Sequence, residues 1–86
     1  MMAPNDIHLR AIRELTAATL EARSELRRGR GVRLILPRWM HEAMTSVTFA
    51  SVLYDTLSAE FEALDEKLQL IVQPCQHFRI ELMEAA

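Results

Sequence analysis

The chain has 86 residues, half of them hydrophobic and 26% charged, with a formal net charge of −2. This balance gives one domain, residues 1–86, with a modest core, and excludes an intrinsically disordered chain. One cysteine excludes an internal disulfide framework and fits a reducing, cytoplasmic setting; no apolar run approaches the ~20 residues of a membrane span.

From the N-terminus, Met1 to Asp6 lacks a basic leader followed by an apolar run, so no signal peptide is expected. Residues 6–28 form the first element, a long amphipathic helix. Ile7, Ala11, Ile12, Leu15, Ala18, Thr19, Ala22 and Leu26 recur on one stripe at helical spacing. Asn5 or Asp6 can cap its start, and Gly29 with Gly31 can end it in a left-handed turn. Leu9 and Leu20 fall outside the stripe and are candidates for a second contact. Such a helix spans about 34 Å, as long as the ~30 Å domain expected for this chain length. Its basic end therefore either projects into solvent or is covered by a second chain, and a homodimer is expected.

Residues 32–36 read as a strand, apolar at Val32, Leu34 and Leu36 and also at Ile35, hence covered on both faces. Pro37 ends it and suits the first turn of a helix. Met40, Ala43, Met44 and Val47 continue an apolar face, giving a helix over 37–45. The hydroxyl-rich Thr45-Ser46-Val47-Thr48 predicts a break, with Ser46 or Thr48 as a new cap. Phe49, Val52, Leu53, Leu57, Phe61 and Leu64 then mark a helix over 48–64. Alternation at Leu68, Leu70 and Val72, a turn at 74–77, and alternation at Phe78, Ile80 and Leu82 predict a C-terminal β-hairpin of strands 67–73 and 78–83. The sum is an α+β fold, a small sheet with helices packed on one face.

Charge is divided along the chain. Up to residue 38 there are eight arginines and four acids; beyond it, Lys67 and Arg79 face eight acids. The split can steer an acidic partner or a second copy toward the first half, or can simply reflect two solvated faces that neutralise each other. Arg27, Arg28, Arg30, Arg33 and Arg38 with Trp39 flank the most hydrophobic joint of the chain and are the candidate partner-binding residues. Arginine and tryptophan are over-represented at interface hot spots, and clustered arginines beside an aromatic also suit phosphates and bases. Against these stands a plainer role, arginines favouring a helix C-terminus and Trp39 filling the core.

Enzymatic chemistry is not expected. Cys75 and His77 are the only reactive pair close in sequence, without a third group to orient the base or a glycine-rich oxyanion loop. The same pair supplies two metal ligands where a structural zinc needs four, and His8 and His41 lie far off. Gly29-Arg30-Gly31 leads into a strand, the reverse of a phosphate-binding loop. Asp65-Glu66 reads as a solvated helix end, and Met40, Met44, Phe49 and Phe61 as core. No cofactor, metal, membrane or small-molecule substrate is implied. The expected function is a small regulator, inhibitor or adaptor acting by protein contact, of the kind phages and mobile elements carry.

A second function comes from a resemblance. The run Val32-Arg33-Leu34-Ile35-Leu36-Pro37-Arg38-Trp39-Met40-His41-Glu42-Ala43-Met44, followed by Ala50-Ser51-Val52-Leu53-Tyr54-Asp55-Thr56-Leu57, resembles a ribbon-helix-helix repressor over residues 32–64. That resemblance implies a dimer joined through the strand, which enters the DNA major groove. Arg33 would then face the groove, and Thr48 or Ser51 would cap the second helix against a phosphate.

Overall fold

The computed structural model describes residues 4–57 and 64–83. Its elements are α1 (Pro4–Arg27), β1 (Gly31–Pro37), α2 (Arg38–Glu42), α3 (Ser46–Leu57), α4 (Leu64–Lys67), β2 (Leu68–Gln73) and β3 (Arg79–Met83). The fold is α+β: a long N-terminal helix and further helices against a three-stranded open sheet.

α1 begins at Pro4, a residue suited to a first turn because its missing N–H has no helical acceptor to lose. Asn5 and Asp6 therefore lie inside the helix, which starts two residues before the expected position 6. At the other end Gly29 adopts φ +82°. Its N–H donates to the Leu26 carbonyl at 3.0 Å and the Arg30 N–H donates to the Glu25 carbonyl at 3.2 Å, the paired bonds of a Schellman cap. Gly31 plays no part in that turn. It starts β1, where a Cβ would meet Cε of Met83 at 2.8 Å.

α1 buries the stripe Ala11, Leu15, Ala18, Ala22 and Leu26 against Val32, Leu34 and Leu36 of β1, and Met40, Leu53 and Leu57 complete the core. Thr19 is buried among them because its hydroxyl donates to the Thr16 carbonyl at 2.8 Å, so no polar atom is stranded. At the basic end of α1, Arg27 and Arg28 are exposed. Leu26 is buried on the returning sheet, and it is the N-terminal end that leaves Ile7 and Leu9 exposed.

The 37–45 helix is shorter than its apolar face implied, ending at Glu42. The cap of α3 is Thr45, one residue before the expected Ser46 and three before Thr48: its Oγ1 accepts the Thr48 N–H at 3.1 Å. Thr45→Ala removes that acceptor and is expected to cost about 1 kcal/mol, measured by urea unfolding. The helix expected over 48–64 is α3 as far as Leu57; residues 58–63, Phe61 among them, lie outside the described residues, and Lys67 closes α4 instead of opening a strand.

The expected C-terminal hairpin does not form. β1 lies between the two strands, in the order β2-β1-β3, parallel to β2 and antiparallel to β3. β1, its following helices and β2 make a parallel crossover unit. Residues 74–78 then pass over the end of β1. Five residues at ~3.3 Å each easily cover two strand spacings of about 10 Å in total. The physical reason is the character of β1. Ile35 lies on the face opposite the helices yet is only 1% exposed, flanked in register by Ile71 and Arg79. A strand buried on both faces must satisfy its backbone on both edges.

Candidate interaction surface

The six candidate residues do not converge. β1 is about 20 Å long at ~3.3 Å per residue, and it separates Arg27, Arg28 and Arg30 at one end from Arg38 and Trp39 at the other.

At the α1–β1 joint, Glu25 takes both Arg28, at 3.4 Å, and Arg30, at 3.2 Å. Arg27 is exposed on the last turn of α1. Arg33 reaches across the open face of the sheet: its Nε donates to Oε1 of Gln69 on β2 at 3.2 Å and its Nη1 to Oε1 of Glu81 on β3 at 3.4 Å. Glu81 also meets Nε of Arg79 at 3.6 Å. These pairs are solvated and each contributes at most about 1 kcal/mol. They fix where the guanidinium groups point more than they stabilise the fold.

At the other end, Trp39 is half-buried and engaged within the chain. Its Nε1–H donates to the Gln76 carbonyl at 3.0 Å, and the Arg10 guanidinium lies 4.8 Å over its ring. His77 stands 3.6 Å from Glu14 of α1. Trp39 and Glu14 thus hold the 74–78 crossing against α2 and α1. Arg38 is exposed beside them on the first turn of α2.

The other reactive side chains are dispersed. The Cys75 thiol is directed at the His77 backbone carbonyl at 3.5 Å, while the imidazole of His77 faces Glu14. Nδ1 of His8 lies 3.1 Å from the Ala43 carbonyl, and His41 packs edge-on to Phe49 with ring centroids 5.0 Å apart. Met40 and Met44 are core. Among the described residues, no three metal-ligating side chains gather, and no helix is long and apolar enough to cross a membrane.

One residue that sequence reasoning passed over belongs with the arginines. Leu82 is the register partner of Val32, so it points to the helix side of the sheet, yet it is 45% exposed. α1 runs over β1 and leaves the outer end of β3 uncovered. Three open clefts meet at Leu82: one against Glu21, Ser24, Glu25 and Arg30, one against Arg33 and Glu81, one against Gly29, Gly31 and Lys67. Alternation alone puts Leu82 on the same face as Phe78 and Ile80 and says nothing of its cover. The available signal was the arithmetic of cover, since one helix cannot lie over three strands of about 5 Å spacing.

Set against protein-family models, curated proteins and solved structures, the chain matches none.

Proposed function

We propose that this chain is a non-enzymatic cytosolic binding module, a regulator, inhibitor or adaptor, that grips a partner protein at the α1–β1 joint. Leu82 is the apolar anchor, Arg30 and Arg33 form its rim, and Arg27 and Arg28 extend the positive border. The observation that carries this reading is the exposed Leu82 where three clefts meet, with ion-paired arginines on either side. An apolar centre inside a polar, orienting rim is the usual anatomy of a contact hot spot. The partner segment that fits is apolar at one position and acidic beside it, which matches the arginine-rich first half of the chain.

The protein-contact reading is favoured over a ribbon-helix-helix repressor by the pairing of β1. The repressor needs that strand free to join a second chain and enter a groove, and both edges of β1 are taken by β2 and β3.

A photo-crosslinking residue at position 82 in the native host tests the proposal, with position 55 on α3 as control. The expected result is an adduct with one protein from position 82 alone, abolished by Arg30→Glu with Arg33→Glu. Equal adducts from both positions contradict it. So does a DNA gel shift by the wild-type protein that falls steeply with salt.

A further inference from the structure

The free edge of β2 carries a second, independent surface. β2 has one strand neighbour among the described residues, β1, so its outer row of backbone donors and acceptors lies at the sheet edge. Sheet edges are ordinarily protected by charges, prolines or bulges. β3 follows that rule with Arg79 and Glu81, whereas the six residues of β2, Leu-Gln-Leu-Ile-Val-Gln, contain neither charge nor proline. On the helix side of the sheet, Leu70 and Val72 pair in register with the fully buried Leu34 and Leu36, yet they are 37% and 39% exposed.

The geometry points to a second copy of this chain as the occupant, joined β2 to β2 in antiparallel register about a two-fold axis between Ile71 and its symmetry mate. Paired residues in an antiparallel ladder share a face. A two-fold perpendicular to the sheet keeps both helix layers on one side, so it must lie midway between one residue and that residue's own symmetry mate. Centred on Ile71, it sets Leu70 opposite Val72 of the partner subunit on the helix side. On the open side Ile71 meets its own symmetry mate, and Gln69 meets Gln73 of the partner subunit. Apolar faces apolar, amide faces amide, and no two charges are brought together. The strand is complementary to itself, and the product is a six-stranded sheet closed by about four new backbone hydrogen bonds. The Leu82 surface lies on the opposite edge strand, so either site can fail without the other.

Sedimentation equilibrium with two register-specific double variants tests this. Gln69 and Gln73 are the positions to change, because Gln69→Glu keeps an acceptor for Arg33 and neither residue is core. Wild-type protein is expected to pass from monomer to dimer between roughly 10 µM and 1 mM, as a small edge interface would. Gln69→Glu with Gln73→Glu sets acid against acid twice and should weaken the dimer about tenfold or more. Gln69→Glu with Gln73→Lys sets opposite charges face to face and should restore or tighten it. Circular dichroism and thermal melting establish that both variants fold. A wild-type chain still monomeric near 1 mM overturns the proposal, as does a dimer whose affinity the two variants leave unchanged or shift in the same direction.

Discussion

Leu34→Ala is expected to cost about 3–4 kcal/mol, enough to lower the melting temperature by more than ~12 °C in a domain this small. Leu34 sits at the middle of the central strand with no exposure, between Leu70 and Ile80 in register and beneath the Ala11–Leu26 stripe of α1. Truncation leaves a cavity that a strand pinned on both edges cannot collapse to fill. Leu70→Ala is the comparison. The same atoms are removed one strand away, but from a side chain already more than a third exposed, and the expected loss is about 1 kcal/mol. Urea unfolding of the two variants reads the difference directly. Equal losses would mean that β1 is not the strand around which the sheet is built.

Trp39→Ala is expected to cost about 2–3 kcal/mol, and Trp39→Phe only about 1 kcal/mol. The alanine variant loses the packing on the core, the platform beneath Arg10 and the bond to the Gln76 carbonyl. The phenylalanine variant keeps an aromatic surface under Arg10 and gives up the N–H donor with part of the ring surface. Trp39 is the sole tryptophan, so unfolding is followed by circular dichroism. The pair of variants also separates two roles for this residue. Its indole is spent on holding the 74–78 crossing, so Trp39→Phe should leave the Leu82 crosslink intact. A lost crosslink in a variant of unchanged stability would make Trp39 a partner contact in its own right.

The helices and strands of this fold were largely legible because each has its own short-range signature. Residues 6–28 repeat their apolar positions at helical spacing, Gly29 supplies the left-handed turn that ends the helix, and residues 32–36 are too short and too apolar for anything but a covered strand. The neighbours of each strand were not legible. Alternation at Leu68, Leu70 and Val72 assigns faces, and faces are the same whether β2 lies beside β3 or one strand further away. A five-residue connection with a proline serves a hairpin or a crossing equally well. The clue lay in Ile35, an apolar side chain on the face away from the helices, which marks a central strand more than an edge.

The candidate surface divides in the same way. Sequence reading found the arginines, but it treated Arg27 to Trp39 as one shoulder because they are close in the chain. The length of β1 sets Arg38 and Trp39 at the opposite end from Arg30, and Trp39 turns inward to the crossing. Arg33 and Glu81 come together only through the β1–β3 register, and Leu82 is exposed because α1 lies mainly over β1 and leaves the outer end of β3 uncovered. Both facts are products of strand order, which local pattern does not contain.

Strand order is therefore the claim on which both surfaces depend, and backbone NOE connectivity by NMR tests it most directly. Short cross-strand contacts are expected from the Leu34 backbone to Ile80 on one side, in the antiparallel pattern, and to Leu70 on the other, in the parallel pattern. Strong Hα–Hα contacts between residues 71–73 and 78–80 would instead place β2 directly against β3. That result would restore a hairpin, pair the β2 edge proposed to be free, and contradict the order β2-β1-β3.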